Sequence, residues 1–188
     1  MPSIKTLAVF CGSSTGVGAE YDTATRAFAR DVVQRGIRIV YGGASVGLMG
    51  ALADAALGAG GEVVGVIPGA LVDREIAHRG LTELRVVSTM HERKATMAEL
   101  ADAFVALPGG IGTLEELFEI WTWGQLGLHA KPYGVLNTAD YYGPLVRFLD
   151  HARDEGFIRR AQRARLVVDA DASGLLDKLA DAATASSG

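Results

Sequence analysis

Residues 103–121 read AFVALPGGIGTLEELFEIW, and their pattern indicates the secondary structure of this segment. The segment begins with five consecutive apolar residues, which is typical of a parallel strand covered on both faces. A glycine-rich turn follows, and Leu114, Leu117, Phe118 and Trp121 then recur at helical spacing. The segment therefore predicts a strand, a tight loop and an amphipathic helix in direct succession.

Similar apolar runs recur along the chain, and segments with helical spacing separate them. This alternation predicts an α/β fold, a doubly wound parallel sheet with helices on both faces. Because the composition shows no break, we expect residues 1–188 to form one domain. The predicted strands are Ile4–Phe10, Ile37–Tyr41, Val63–Ile67, Leu84–Val87, Ala103–Leu107, Tyr133–Leu136 and Arg165–Val168.

Two further helices are predicted from the same spacing. One covers Glu20–Arg35 and is expected to stop at Gly36. The apolar stripes predicted for the two helices are Tyr21, Ala24, Phe28 and Val32 in the first, and Leu145, Phe148, Leu149 and Ala152 in the second.

Composition and charge restrict the class of protein. Of 188 residues, 49% are hydrophobic and 21% are charged, which excludes a disordered or fibrous chain. The net charge of −4 provides no overall basic field for nucleic acid or an anionic membrane. Cys11 is the single cysteine, so no intrachain disulfide can form, which fits a reducing compartment. The sequence shows no signal-peptide pattern and no apolar stretch of about 18 residues, which a membrane span would need. We therefore expect a soluble, cytoplasmic protein.

Glycine- and hydroxyl-rich loops follow three of the predicted strands, at residues 11–16, 42–50 and 108–113. The carboxyl ends of parallel strands meet at one edge of a sheet, where ligands bind. Glycines let backbone N–H groups approach an anion, and a helix N-terminus adds about half a positive charge. The three loops indicate a phosphate-bearing ligand, although tight turns alone would also explain each of them.

Missing motifs narrow the choice of ligand. The chain has no Gly-Lys pair and therefore no Walker A loop. Residues 16–18 lack the third glycine of a dinucleotide fingerprint, and the second predicted strand does not end in an acid. We expect no metal, because no two histidines have the i, i+4 spacing of a zinc site; they are His78, His91, His129 and His151.

Two threonine–glutamate pairs match capping boxes at the starts of predicted helices. Thr113 with Glu116, and Thr89 with Glu92, would each place threonine at the N-cap and glutamate at N3. Capping alone would explain the first pair, but it explains the preceding glycine run less well. The pair at Thr113 is therefore a candidate for a structural and for a functional role.

Arg93 and Lys94 fall near the positive end of the second of these helices. Cations at this position are unfavourable by about 0.3–1 kcal/mol each unless an anion offsets them. One interpretation is a pair of solvated basic side chains. The other is a ligand contact by Arg93, beside the phosphate loops.

Residues 108–116 match the PGGxGTxxE motif, and on this basis the chain resembles the Lonely Guy family. That family releases free cytokinin bases from their riboside 5′-monophosphates, and its members were long labelled as lysine decarboxylases. The likeness departs at Ala44, where a third glycine is more usual. Other segments that carry it are Cys11–Ser14, Tyr41–Gly50, Met90–Lys94 and Thr122–Gly127.

The resemblance implies a Rossmann-like homodimer without a cofactor, with its sites near the subunit interface. It implies that Arg93 and Glu116 are catalytic. It implies substrate contacts by Glu75, Lys94, Gly110, Ile111, Gly112, Thr113, Leu114, Glu115 and Thr122. From the neighbouring loops, the expected substrate contacts also include Ser13, Gly43 and Met90.

The residues agree with that reaction. Hydrolysis of an N-glycosidic bond builds positive charge on the ribose, which a carboxylate can stabilise while it activates water. Glu116 is expected to face the sugar, because a carboxylate turned toward the phosphate would repel it. Arg93 would anchor the ligand or polarise the departing base, and Glu75 would bond the ribose hydroxyls. The preferred base stays open between isopentenyladenine, zeatin and plain adenine.

Other classes of function use the same residues. A non-catalytic nucleotide carrier or sensor would employ the same loops without cleavage. A pyridoxal-phosphate decarboxylase would need a Schiff-base lysine, and only Lys94 lies beside the loops. A nucleic-acid role would rest on four arginines within residues 159–165, which more closely resemble a solvated or interface face.

Overall fold

The protein folds around a seven-stranded parallel sheet. The computed structural model describes residues 4–72 and 76–185. In chain order the strands are β1 (Thr6–Phe10), β2 (Arg38–Tyr41), β3 (Val63–Pro68), β4 (Glu83–Val87), β5 (Ala103–Ala106), β6 (Tyr133–Leu136) and β7 (Leu166–Asp169). Their order across the sheet is β4-β3-β2-β1-β5-β6-β7, and each neighbouring pair is parallel. The fold prediction is confirmed.

Helices cover both faces of this sheet. They are α1 (Ala19–Gln34), α2 (Gly47–Gly58), α3 (Met90–Leu100), α4 (Ile111–Gln125), α5 (Gly143–Asp154), α6 (Arg160–Ala164) and α7 (Ala172–Ala185). Within β1, Leu7 and Val9 pack toward α1, α2 and α7, whereas Ala8 and Phe10 pack toward α3, α4 and α5. The strand is therefore apolar on both faces, which explains its unbroken apolar run. No helix in the described ranges is both long and apolar enough to span a membrane.

The predicted strand ends agree with the structure to within two residues, and α1 lies within one residue of its prediction. Gly36 follows α1 with a φ of +71°, a conformation that suits glycine at a helix stop. The prediction that Phe148 belongs to the apolar stripe of α5 is wrong. Phe148 is 62% exposed, while Leu149 beside it is buried.

The capping prediction holds for α3 and fails for α4. Thr89 is the N-cap of α3, and its Oγ1 accepts a 3.1 Å hydrogen bond from the backbone N–H of Glu92. Helix α4 instead begins at Ile111 with Gly110 as its N-cap, so Thr113 lies at N3 inside the helix. Thr113 packs beneath Gly109, where an added Cβ would lie 2.1 Å from its Oγ1. The missing glycine side chain therefore lets the helix start earlier than the threonine indicates.

Candidate active site

A cavity of about 310 Å³ opens at the carboxyl edge of the sheet, between the ends of β1 and β2 and the starts of α3 and α4. It lies at the strand edge where the three glycine-rich loops were predicted to meet. The lining residues that the sequence predicted as site residues are Ser13, Met90, Arg93, Gly110, Ile111, Gly112, Thr113, Glu115 and Glu116. Cys11, Gly42 and Met49 also line it.

Arg93 forms part of the cavity wall, and its guanidinium is held in one orientation by backbone carbonyls. Its Nε donates to Val66 O and its Nη2 donates to Gly42 O, each at 3.0 Å. The residue is only 5% exposed, so the interpretation of a solvated cation is wrong. An added Cβ at Gly42 would lie 2.0 Å from Nη2, so the position of Arg93 depends on this glycine. A fixed positive charge therefore lies at the edge of the cavity.

Glu116 lies on the first turns of α4, half-buried, and lines the same cavity. Burial, and secondly the negative charge of Glu116, raise the pKa of the Cys11 thiol far above its ordinary value. The thiol is therefore protonated at neutral pH and is not a nucleophile, because reactive cysteines act as thiolates. Cys11 contributes an uncharged, apolar surface beside the carboxylate.

Lys94 contacts two carboxylates of α4 rather than the cavity. Its Nζ lies 2.6 Å from Glu115 Oε1 and 2.8 Å from Glu119 Oε2. Burial lowers the pKa of Lys94, but hydrogen bonds and charge interactions with Glu115 and Glu119 outweigh it and raise the pKa overall. The ammonium is therefore protonated and joins α3 to α4, which argues against a Schiff-base role for this lysine. A substrate contact by Lys94 stays a prediction.

The start of α4 offers backbone N–H groups to the cavity. No side chain caps this helix among the residues the structure describes, and its first internal hydrogen bond runs from Leu114 N–H to Gly110 O at 3.1 Å. The N–H groups of the first turn have no acceptor within the helix. Residues 110–113 line the cavity with these groups, so they form a cradle for an anion.

The remaining predicted contacts lie away from this cavity or outside the described residues. Gly43 packs against β3, and its carbonyl accepts a 2.9 Å hydrogen bond from His78 N–H. Leu114 packs into the apolar core on the α4 side of the sheet. Glu75 lies outside the described residues.

Thr122 is exposed and lies nine residues beyond Thr113, about 14 Å along the axis of α4. It lines a second, smaller cavity of about 140 Å³, which lies between α4, α5 and the segment before α6. The other residues of this second cavity are Phe118, Trp121, Gln125, Leu149 and Ile158.

Sequence reasoning did not single out Gly42 and Met49, which lie within the matched segment 41–50. The only sequence feature that could have indicated them is their position in the glycine-rich loop that follows a predicted strand. Met49 and Met90 give one side of the cavity an apolar surface, which suits a planar base.

Solved structures with the same fold include the molybdenum cofactor carrier protein from Chlamydomonas reinhardtii, with a TM-score of 0.71 and 20% identity. The match covers 95% of this chain and 98% of that chain. The molybdenum cofactor binding protein from Rippkaea orientalis also has a TM-score of 0.71, at 16% identity over 95% of this chain and 96% of that chain. At these identities the likeness establishes the fold alone.

Comparison of the sequence with known proteins identifies the family as well as the fold. A family model described as "Possible lysine decarboxylase" matches residues 49–179. The cytokinin riboside 5′-monophosphate phosphoribohydrolase of Rhodococcoides fascians is 53% identical over 176 residues, 93% of this chain and 89% of that protein. An Arabidopsis thaliana protein of the same name is 48% identical over 177 residues, 94% of this chain and 83% of that protein. With about half of its residues identical to these relatives over nearly its whole length, the chain belongs to the Lonely Guy family of cytokinin riboside 5′-monophosphate phosphoribohydrolases.

Proposed function

We propose that this protein hydrolyses the N-glycosidic bond of cytokinin-type nucleoside 5′-monophosphates and releases the free base and ribose 5-phosphate. The observation that carries the proposal is one cavity with three chemically distinct walls. They are the buried guanidinium of Arg93, the carboxylate of Glu116 and the open N-terminus of α4. Family membership identifies the reaction to which these groups apply.

The 5′-phosphate is assigned to the start of α4. A phosphate there would accept hydrogen bonds from the N–H groups of residues 110–113, and the helix dipole favours its negative charge. Ser13 also lines the cavity and offers a hydroxyl. Because Lys94 is already bound to Glu115 and Glu119, the backbone supplies most of the binding for this anion.

Glu116 is assigned to the chemistry at the ribose. As the base departs, the ribose ring becomes cationic, and a carboxylate fixed on a helix stabilises this charge or deprotonates the attacking water. Arg93 cannot swing freely, since the carbonyls of Val66 in β3 and of Gly42, directly after β2, hold its guanidinium. It would hydrogen-bond the leaving base or the sugar from one side, so that the anomeric carbon is oriented toward Glu116 and water.

Incubation of the purified protein with a panel of nucleoside 5′-monophosphates tests the reaction. The panel contains the isopentenyladenosine, zeatin riboside and adenosine monophosphates, with the matching unphosphorylated ribosides as controls. Chromatography should show the free base and ribose 5-phosphate in equal amounts from at least one monophosphate. Stoichiometric retention of intact nucleotide without product would contradict hydrolysis and favour a carrier.

We further propose that the protein acts as a homodimer through the surface around the second cavity. Large apolar side chains beside this surface are exposed: Leu126 at 68%, Leu128 at 69%, Phe148 at 62% and Phe157 at 88%. Apolar exposure on this scale is typical of an interaction surface. Thr122 lies on this surface, so pairing would bring it to a subunit interface. Light scattering should give twice the monomer mass, and a monomer in the unaltered protein would contradict the pairing.

A cytoplasmic location and a single domain over residues 1–188 are part of the same proposal. The lone, buried Cys11 supports the location, because it has no cysteine with which to form an intrachain disulfide. One continuous sheet that includes all strands of the described residues supports the single domain.

A further inference from the structure

The backbone between β5 and α4 has all of its carbonyl groups engaged. Residues 107–110 present four consecutive carbonyl oxygens, and each accepts a hydrogen bond from a different part of the protein. Leu107 O accepts from Tyr142 Oη at 2.6 Å, Pro108 O from Gly12 N–H at 3.1 Å, Gly109 O from Tyr141 Oη, and Gly110 O from Leu114 N–H at 3.1 Å.

Two N–H groups of the same loop, those of Gly109 and Gly110, bind no protein group within residues 4–72 and 76–185, whereas Leu107 N–H donates to Phe10 O at 2.8 Å. Gly110 is the N-cap of α4, and no side chain caps the helix. The oxygens of the loop therefore bind protein, and the N–H groups of Gly109 and Gly110 are left for a ligand.

The peptide between Gly109 and Gly110 lies where two cavities meet. Gly110 lines the substrate cavity described above and also an adjacent cavity of about 270 Å³, whereas Gly109, Tyr21 and Tyr141 line the adjacent cavity alone. The described residues contain no cis peptide bond, and in a trans peptide the C=O and N–H bonds point in opposite directions. Because Tyr141 holds Gly109 O on its own side, Gly110 N–H is turned away from Tyr141, and of the two cavities that Gly110 lines only the substrate cavity excludes Tyr141.

This peptide needs an external restraint. Glycine on both sides removes the steric barriers that would otherwise fix its rotation. The structure supplies a rigid restraint, since the Tyr141 ring packs edge-on against Tyr21 at 5.8 Å and against Tyr142 at 5.0 Å between ring centroids. The hydroxyl is thus held in place by two neighbouring rings.

We propose that Tyr141 is a positioning residue, whose hydroxyl holds the Gly109 carbonyl and thereby aims the Gly110 N–H at the 5′-phosphate of the substrate. The inference rests on the proposed function, because it takes the phosphate at the start of α4 as given. Tyr141 contacts neither the ribose nor the base in this arrangement. It acts through one peptide group.

Tyr141→Phe tests this role, because it removes the hydroxyl and keeps the ring. Tyr21→Phe is the matched control, because Tyr21 packs against the Tyr141 ring. The Tyr21 hydroxyl makes no hydrogen bond to a described residue, so its removal should change nothing. Calorimetric titration with ribose 5-phosphate should show a Kd about 3- to 10-fold higher in Tyr141→Phe, as expected for one hydrogen bond. KM for a monophosphate should rise by a similar factor with kcat nearly unchanged, and Tyr21→Phe should match the unaltered protein in both measurements.

The titration does not depend on hydrolysis, so failure of the proposed reaction and failure of this inference are distinguishable. An unchanged Kd in Tyr141→Phe would overturn the positioning role, as would an equal loss in Tyr21→Phe. A fall in kcat with KM unchanged would also overturn it, because the effect would then lie outside phosphate binding. If the unaltered protein does not bind ribose 5-phosphate, the anion cradle and the role of Tyr141 are both wrong.

Discussion

Replacing Gly42 by alanine should displace the guanidinium of Arg93 without altering any group that reacts. The new Cβ would lie 2.0 Å from Arg93 Nη2 and 2.4 Å from Met49 Cε, so both side chains must move. The backbone itself tolerates alanine, since the φ of Gly42 is not in the left-handed region. The substitution therefore tests whether the fixed orientation of Arg93 matters.

The expected magnitude follows from the hydrogen bond that would be lost. The 3.0 Å bond from Arg93 Nη2 to Gly42 O is charge-assisted, and such bonds contribute about 1.5–3 kcal/mol. At about 1.4 kcal/mol for each tenfold change, kcat/KM should fall by roughly 10- to 150-fold. Release of free base from the best monophosphate, followed by chromatography, measures this loss.

Gly58→Ala is the control for this experiment. Gly58 ends α2, has a negative φ and has no atom within 4 Å of an added Cβ, so alanine should leave kcat/KM unchanged. If Gly42→Ala also retains kcat/KM and folds normally, the fixed orientation of Arg93 does not contribute to turnover.

Two further predictions concern Lys94 and Cys11. Lys94→Met removes the cation between Glu115 and Glu119 and should lower the free energy of unfolding by about 1–3 kcal/mol in urea, with exposed Lys5→Met as a control for loss of a lysine charge. An unchanged urea midpoint would mean that this ion pair does not hold α3 against α4. Because burial and Glu116 raise the pKa of Cys11, iodoacetamide at pH 8 should modify the folded protein far more slowly than the urea-unfolded protein. Equal rates would show that the thiol is accessible and ionised in the fold.

The strands were the easiest part of the fold to predict. Each central strand is covered on both faces, so its sequence is an apolar run that few other structures explain, and β1 with Leu7, Val9, Ala8 and Phe10 is an example. The start of α4 was predicted less well. The threonine of a capping box is a local signal, but two glycines before it allowed Thr113 to become an internal, buried residue.

The contacts between distant segments that fix the site residues were beyond sequence reasoning. Nothing local to Arg93 indicates that carbonyls of Val66 and Gly42, distant in the chain, will hold its guanidinium. At Gly110 the structure shows neither a positive φ nor any protein atom within 4 Å of an added Cβ. The fold itself does not require glycine there, so we assign its role to access for a ligand.

Glu116→Gln tests the central claim most directly, because it removes the charge of the proposed catalytic group and keeps its size. Glutamine keeps the size and hydrogen-bonding capacity of Glu116, and α4 does not start with a capping box at Thr113, so the melting temperature should change little. Loss of a catalytic acid–base group typically costs about 10²–10⁴ in rate. The account predicts that kcat for release of free base falls by that factor while ribose 5-phosphate still binds. Turnover at the original kcat in a stably folded Glu116→Gln protein would contradict it.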